Sequence, residues 1–296
     1  MTPDAPLLDL VIQSTGLSTE AVDAFRVALL APRTRRHADA ARFFDVPADA
    51  QTRRIAQALA AYWHCDATLV QPALRTADMR LLVLDMDSTA IAVEGIDELA
   101  ALAGHGPAVA AITESAMRGE IADYAQSLRR RVALLAGTEL ALAEQVRDRG
   151  LPPTPGAREL VTEARRIGWS TFLVSGGFSL FAQAVARELG FDESWANELG
   201  VRDGRLTGEV SGPADNDGAI LDAAGKARIL QRQCARLGCA PQRAIAVGDG
   251  ANDLDMIALA GLSVAYRAKP QVRQRAACTL DHARLDGLLE LFADRW

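Results

Sequence analysis

The sequence predicts an α/β protein built on a parallel β-sheet. Short runs of uninterrupted apolar residues recur along the chain, at Leu81–Leu84, Thr171–Val174 and Ala244–Val247. Runs without polar alternation are typical of strands buried on both faces, as in a parallel sheet. Helical segments separate these runs, and each run leads directly into carboxylates or a Ser-Gly-Gly sequence. Because ligands bind at the carboxyl ends of such strands, we expect the functional site at that edge of the sheet.

Composition narrows the class of protein. The 296 residues are 49% apolar and 24% charged, as in ordinary globular proteins of one or two domains. The formal net charge of -6 does not favour a nucleic-acid or anionic-membrane partner. We find neither the basic and apolar regions of a signal peptide nor an apolar stretch of membrane-spanning length, so we expect a cytoplasmic protein. The four cysteines lack Cys-x-x-Cys and zinc-ligand spacing and are predicted to be reduced thiols.

Residues 1–78 are predicted to form a separate small α/β unit with the order βαβα. Its predicted strands are Leu7–Gln13 and Ala41–Val46. A helix opens at Ser18-Thr19-Glu20, a second covers Asp49–Tyr62, and a basic turn lies at Pro32–Arg36. No group of residues in this unit suggests chemistry.

Residues 94–153 are predicted to be a helical cap inserted into the core, which comprises residues 79–93 and 154–296. Its helices are expected at Ile96–Ala103, Pro107–Arg118 and Ile121–Leu135. Three helices between the first and second strands of one sheet exceed what an ordinary crossover needs, so we interpret them as a cap.

The remainder of the core alternates helices and strands. Helices are predicted at Ala157–Ile167, Phe178–Leu189 and Ala223–Leu237, and a further strand at Leu262–Tyr266. Asp203-Gly204 suits a tight type I′ turn and predicts a hairpin.

Polar groups follow three of the buried strands and should meet in one crevice. They are Asp85 and Asp87, then Ser175-Gly176-Gly177, then Asp249, Asn252 and Asp253. Two carboxylates a few ångströms apart, such as Asp85 and Asp249, would repel each other by roughly 1–4 kcal/mol. A Mg²⁺ ion would offset this repulsion, and zinc is disfavoured because no His or Cys belongs to the group. Lys226 adds a positive charge that can reach a phosphate oxygen.

Four motifs follow one another along the chain: Asp85-Met86-Asp87-Ser88-Thr89, Ser175-Gly176-Gly177, Lys226, and Gly248-Asp249-Gly250-Ala251-Asn252-Asp253. This ordered set resembles the motifs of the haloacid-dehalogenase superfamily of phosphatases, and the resemblance covers about residues 80–290. Within that superfamily, the chain is most similar to members that hydrolyse phosphoserine. The resemblance implies a Rossmann-type parallel core with a helical cap. It implies that Asp85 is the nucleophile and Asp87 the general acid and base. The implied Mg²⁺ ligands are Asp85, Asp249 and the backbone carbonyl of Asp87, with Asp253 supporting the site. Phosphoryl contacts are implied for Ser175, Gly176, Lys226 and Asn252.

Two residues of the predicted cap region are candidates for reading the substrate. The resemblance implies that Glu94 pairs with the substrate ammonium and Arg131 with its carboxylate, which an arginine fork suits well. Glu94 could instead be a solvated turn acid. Arg129-Arg130-Arg131 could be a solvated helix face, and three consecutive arginines cannot all face one ligand.

The function implied is Mg²⁺-dependent hydrolysis of O-phospho-L-serine to L-serine and phosphate through a phosphoaspartate, the last step of serine biosynthesis. Two alternatives remain: a phosphatase for another small phosphomonoester, and a non-catalytic phosphoserine-binding sensor. For residues 1–78 we consider a regulatory or dimerising unit, loosely similar to ACT-like amino-acid-binding modules, and a ligand-free extension. A homodimer is an open expectation.

Overall fold

The computed structural model describes residues 5–31, 33–117, 121 and 123–296. The strands are β1 Leu7–Gln13, β2 Thr34–Arg36, β3 Ala40–Pro47, β4 Asp66–Val70, β5 Leu81–Leu84, β6 Ser170–Phe178, β7 Glu193–Arg202, β8 Arg205–Ser211, β9 Ala244–Gly248, β10 Leu262–Tyr266 and β11 Cys278–Leu280. The helices are α1 Thr19–Ala28, α2 Ala50–Trp63, α3 Gly95–Leu102, α4 Gly106–Met117, α5 Tyr124–Ala133, α6 Leu140–Asp148, α7 Ala157–Arg166, α8 Ser179–Leu189, α9 Ala223–Arg236, α10 Leu254–Leu259 and α11 Pro270–Arg273. Among the described residues, none of the helices has the length and apolarity needed to span a membrane.

The larger sheet has seven strands in the order β11-β10-β9-β5-β6-β7-β8. β5 lies at its centre and pairs in parallel with β6 and β9, which confirms the predicted parallel core. Only β8 runs antiparallel to its neighbour, β7. Asp203 and Gly204 join these two strands with φ values of 50° and 72°, the positive angles that a type I′ turn requires.

Helices cover both faces of this sheet, and successive residues of β5 contribute to opposite faces. Leu82 and Leu84 belong to the apolar cluster that includes α7 and α8. Leu81 and Val83 belong to the cluster that includes α9 and α10. All four β5 side chains are fully buried, as expected for an apolar strand packed on both sides.

The segment between β5 and β6 carries the helical insertion, defined here as α3 to α6. In the part that the structure describes it has four helices, so the prediction of three missed Leu140–Asp148. The predicted second helix ended at Arg118, which lies outside the described residues. The β7–β8 hairpin extends from the core to this insertion, where the Gly137 N–H donates to the Leu206 carbonyl at 2.8 Å. The insertion is thereby tied to the sheet at a second place.

The N-terminal residues form a four-stranded antiparallel sheet in the order β2-β3-β1-β4. The predicted βαβα order was wrong, because the chain follows βαββαβ. Thr34–Arg36 is a strand rather than a turn, and Pro32 lies outside the described residues. β2 was missed because it is a short edge strand with two exposed arginines and no apolar alternation. Asp66–Val70 was missed as well.

This N-terminal sheet packs against the C-terminal part of the core. The Asp66 carboxylate accepts backbone N–H groups of Asp281, His282 and Ala283 at 2.7, 3.1 and 2.9 Å. On β3, the buried Arg42 pairs with Asp9 at 2.8 Å and donates to a backbone carbonyl near the C terminus. These buried polar contacts join the two sheets.

Candidate active site

The first acidic motif emerges where β5 ends. The Asp85 N–H donates to the Val247 carbonyl at 3.0 Å, which continues the β5–β9 ladder by one residue. A tight turn over residues 86–90 follows, closed by the Ile91 N–H bonding to the Met86 carbonyl at 2.9 Å. Ser88 in this turn has a φ of 57°, a conformation that costs about 1–3 kcal/mol for a residue other than glycine. The turn reverses the chain and holds Asp85 and Asp87 at the sheet edge.

Lys226 lies in the first turn of α9, and its ammonium is enclosed by carboxylates. Its Nζ donates to Asp85 Oδ1 at 2.5 Å and to Asp253 Oδ1 at 2.6 Å. Lys226 and Asp253 are fully buried, and Asp85 is 4% exposed. An ionised carboxylate is costly to bury without a positive partner, and the Lys226 ammonium supplies that partner to both Asp85 and Asp253.

The third motif is arranged around Asp253. Its Oδ2 accepts the backbone N–H groups of Asp249 and Gly250 at 3.2 and 3.0 Å. A Cβ at Gly248 would lie 2.3 Å from the Asp253 carboxyl carbon, so only glycine fits at the end of β9. The Thr89 hydroxyl donates to Asp249 Oδ1 at 3.3 Å and so links the first and third motifs.

Three carboxylates at this edge are close enough to share a cation. Oxygens of Asp85, Asp249 and Asp253 lie within 4.8 Å of one another. Burial, followed by the charge of Asp253, raises the pKa of Asp85 well above its ordinary value, and the same two causes raise the pKa of Asp249 to about 6. An all-oxygen, electron-rich group of this kind fits a hard divalent cation. Both oxygens of Asp253 are already engaged, one by the Lys226 ammonium and the other by two backbone N–H groups.

Asp87 is oriented by two hydrogen bonds. The Gly95 N–H donates to its Oδ1 at 2.8 Å, and the Ser175 hydroxyl donates to its Oδ2 at 3.2 Å. Burial, and then the negative charge of Glu94, raises the pKa of Asp87 to about 7. A carboxyl group with this pKa is present in both protonation states near neutrality, which is what a group that both gives and takes a proton requires.

The Ser-Gly-Gly motif lies in the last part of β6, where the register with β7 shifts, and this irregular stretch beside Asp87 is called here the Ser-Gly-Gly loop. The Gly177 N–H donates to Ser175 Oγ at 2.8 Å. A Cβ at Gly176 would lie 2.1 Å from the Tyr124 hydroxyl oxygen, and a Cβ at Gly177 would lie 2.7 Å from Asp87 Oδ2. Glycine is therefore needed at both positions, because side chains from α5 and from the first motif pack directly on the loop.

A cleft of about 1140 Å³ lies between these motifs and the helical insertion. Its walls include Asp85, Asp87, Glu94, Tyr124, Arg131, Gly176, Gly177, Asp249 and Asn252. Of the three consecutive arginines, only Arg131 is buried, and its Nε has no hydrogen-bond partner among the described residues. Glu94 is half-buried and accepts a hydrogen bond from the Ser88 hydroxyl at 2.9 Å. The cleft thus presents a carboxylate and a guanidinium together with the acidic motifs.

The structure brings the predicted site residues together, most of them at one edge of the sheet and Arg131 on α5 of the insertion, but two of them lie deeper than expected. Lys226 and Ser175 are fully buried, and their observed partners are the carboxylates of Asp85, Asp253 and Asp87. Their predicted contacts with a phosphoryl group stay predictions.

Two further residues at the site were missed. Lys269 follows β10 and lines the cleft, and its position after a core strand was the available signal. Asn197 binds the Gly176 carbonyl, and nothing in its sequence context indicated this.

This sheet, insertion and acidic edge define a hydrolase of the haloacid dehalogenase class. Residues 79–261 match the model of the haloacid dehalogenase-like hydrolases, and the chain belongs to that family. The phosphoserine phosphatase of Polaromonas sp. is 48% identical over 220 residues, which are 74% of this chain and 92% of the relative.

The similar solved structures include the following two. One is a HAD family hydrolase from Salmonella enterica serovar Typhi, with a TM-score of 0.84, 30% identity, and coverage of 98% of this chain and 99% of that one. The other is a phospho-aspartyl intermediate analogue of phosphoserine phosphatase, with a TM-score of 0.66, 36% identity, and coverage of 72% and 99%.

Proposed function

We propose that the protein hydrolyses O-phospho-L-serine to L-serine and inorganic phosphate through a phosphoaspartate at Asp85, with Mg²⁺ as cofactor. The observation that carries the proposal is the pairing of two different carboxyl groups at one strand end. Asp85 is bound to a buried ammonium, whereas Asp87, two residues later, has a pKa of about 7. Two carboxyl groups with separate environments suit a nucleophile and a proton donor.

In the first step, an Asp85 oxygen attacks phosphorus and the bond from phosphorus to the serine oxygen breaks. Asp87 donates its proton to the departing oxygen, which would otherwise leave as a high-energy alkoxide. Its hydrogen bonds with Gly95 and Ser175 hold the carboxyl group in one orientation for this transfer. Such proton transfer typically contributes about 10²–10⁴ in rate.

In the second step, a water molecule attacks phosphorus and the bond to Asp85 breaks. Asp87, now ionised, takes the proton of that water and is returned to its starting state. Splitting one difficult displacement into two easier steps is the advantage of a carboxylate nucleophile. Lys226 keeps the departing Asp85 carboxylate neutralised, since its ammonium lies 2.5 Å from Oδ1.

The residues that would hold Mg²⁺ are Asp85 and Asp249 through their carboxylates and Asp87 through its backbone carbonyl. When bound, the ion supplies positive charge that stabilises the negative charge of the transferring phosphoryl group. The raised pKa values of Asp85 and Asp249 support this assignment, because a nearby cation offsets the repulsion that causes part of the shift.

Substrate choice is assigned to Glu94 and Arg131, which both line the cleft. Glu94 would bind the ammonium of phosphoserine, and Arg131 would bind its carboxylate in a two-pronged contact. The unpartnered Arg131 Nε supports this role, since a buried guanidinium N–H without an acceptor is costly until a ligand provides one.

A substrate comparison tests the proposal. Phosphate release is measured from O-phospho-L-serine, O-phospho-D-serine, O-phosphothreonine, a sugar phosphate and a nucleotide, with Mg²⁺ and with EDTA. We expect the highest kcat/KM for phosphoserine and no turnover in EDTA. The cleft is large enough for bigger esters, and a preference of orders of magnitude for a sugar phosphate or nucleotide would refute the proposal. Absence of turnover on every ester would instead favour a phosphoserine-binding sensor.

We further propose that the helical insertion acts as a cap within residues 94–153 and that residues 1–78 are a regulatory or dimerising unit. The order βαββαβ supports a complete small module, beyond the two strands expected from the sequence. Titration of the full chain with L-serine, followed by calorimetry and by sedimentation, tests ligand binding and dimer formation separately. A role in serine biosynthesis in the cytoplasm is part of the same proposal.

A further inference from the structure

Asn197 on β7 joins two separate elements of the site with one side chain. Its Nδ2 donates to the Gly176 carbonyl at 2.8 Å, and its Oδ1 accepts the Leu221 N–H at 2.7 Å. The residue is fully buried, and both ends of its amide are occupied by backbone groups. An amide is the side-chain group that offers a donor and an acceptor together without charge.

The first of these elements is the Ser-Gly-Gly loop. The hydrogen bond from Asn197 fixes the carbonyl of the peptide between Gly176 and Gly177, and a planar peptide then also has its N–H direction fixed. That N–H, on Gly177, bonds to Ser175 Oγ, and the Ser175 hydroxyl bonds to Asp87. The orientation of Asp87 therefore depends on a peptide that Asn197 holds.

The second element is the start of α9, the helix that carries Lys226. Leu221 directly precedes Asp222, whose side chain caps α9 by accepting the Gly225 N–H at 2.8 Å. Lys226 follows in the first turn of that helix and reaches Asp85 and Asp253. Holding the Leu221 N–H places the beginning of α9 relative to the Ser-Gly-Gly loop.

We infer that Asn197 is a positioning residue for phosphoryl binding, which sets the Gly176–Gly177 peptide and the Lys226 helix at a fixed separation. The inference rests on the proposed function, because it assumes that the cleft between these elements takes a phosphoryl group. Asn197 does not touch the reacting atoms. Its effect reaches them through the backbone groups that it binds.

Asn216 provides a matched control. It is also buried, its Nδ2 donates to the Ala219 carbonyl at 2.8 Å, and its Oδ1 accepts Arg228 Nε at 2.8 Å. It therefore ties the segment before α9 to that helix, and among the described residues it makes no hydrogen bond to the Ser-Gly-Gly loop. Asn197→Leu and Asn216→Leu both leave backbone groups unpaired and should both lower Tm.

The experiment measures binding of inorganic phosphate with Mg²⁺ by calorimetry, for the wild type and for both variants, at a temperature where all are folded. We expect a Kd about 10-fold or more weaker for Asn197→Leu, and a Kd within about twofold of the wild type for Asn216→Leu. With O-phospho-L-serine, KM should rise and kcat should fall in Asn197→Leu. Asn197→Ser, whose hydroxyl cannot span both partners, replaces it if leucine prevents folding.

A phosphate Kd for the Asn197 variant that equals that of the Asn216 variant would overturn the inference and leave Asn197 a purely structural residue. Failure of the proposed function would give a different result. The wild type would bind phosphate and Asn197→Leu would bind it weakly, but neither protein would hydrolyse phosphoserine.

Discussion

Replacing Lys226 by Met tests the buried charge cluster, because it removes the ammonium and keeps most of the side-chain volume. The ammonium contacts Asp85 at 2.5 Å and Asp253 at 2.6 Å, and all three side chains are almost completely removed from solvent. Taking one partner out of a buried ion pair costs about 3–5 kcal/mol, since the remaining charge is left uncompensated. With an unfolding entropy of about 2.1 cal/mol/K per residue over the whole chain, this is a fall in Tm of about 5–8 °C.

The measurement is thermal unfolding of the wild type and Lys226→Met in EDTA, so that no divalent cation offsets the freed charge. Lys226→Met/Asp253→Asn should recover part of the lost stability, because one of the two uncompensated carboxylates is gone, and it should recover no activity. Added Mg²⁺ should raise the Tm of Lys226→Met more than that of the wild type. A Lys226→Met protein that melts at or above the wild-type temperature in EDTA would refute the described cluster.

Three further predictions concern the substrate, the Ser-Gly-Gly loop and the ion pairs of Glu163. Glu94→Gln should lower kcat/KM for O-phospho-L-serine by about 10–100-fold, because a hydrogen bond to a charged group typically contributes that much. The loss of kcat/KM for an aryl phosphate, which has no ammonium group, should be far smaller. Equal losses for the two substrates would show that Glu94 does not bind the amine. Gly176→Ala places a Cβ 2.1 Å from the Tyr124 hydroxyl and should weaken phosphate binding. The double variant Gly176→Ala/Tyr124→Ala should recover part of the lost affinity. Unchanged phosphate binding in Gly176→Ala would contradict the contact. The Arg166 hydrogen bond and the charge of Arg295 hold the pKa of Glu163 at about 2, below its ordinary value of 4.5. These two ion pairs of Glu163 should together stabilise the fold by about 1 kcal/mol above pH 4.5 and lose that contribution as the pH falls towards 2. Urea titrations of Glu163→Gln and the wild type should therefore converge in acid, and a constant difference between them would argue against the ion pairs.

The elements that could be predicted from sequence are those whose signal is local. The apolar run at Leu81–Leu84 predicted a strand buried on both faces, and Asp203-Gly204 predicted the hairpin turn that the structure confirms. β2 carries no such signal, because an edge strand is defined by its pairing with β3 rather than by its own pattern. The convergence of Asp85, Gly176 and Asp249 followed from strand direction alone, since parallel strands end at the same edge.

The parts that could not be predicted depend on contacts between distant backbone groups. Asn197 owes its place in the site to a carbonyl 21 residues away and an N–H 24 residues away, and backbone groups look alike in every sequence. The complete burial of the Lys226 side chain could not be predicted from the sequence either. A lysine in the first turn of a helix is ordinarily solvated, and only the meeting of α9 with two carboxylates turns this one inward.

The proposed mechanism requires that Asp85 becomes covalently phosphorylated during turnover. Its most direct test is mass spectrometry of the protein quenched in acid during reaction with O-phospho-L-serine, in an Asp87→Asn background that slows the second step. We expect the added mass of one phosphoryl group on the peptide that contains Asp85. Asp85→Asn should still fold but should show neither this added mass nor turnover. Turnover by Asp85→Asn at close to the wild-type rate, or a phosphoryl group on a different residue, would contradict the proposed mechanism.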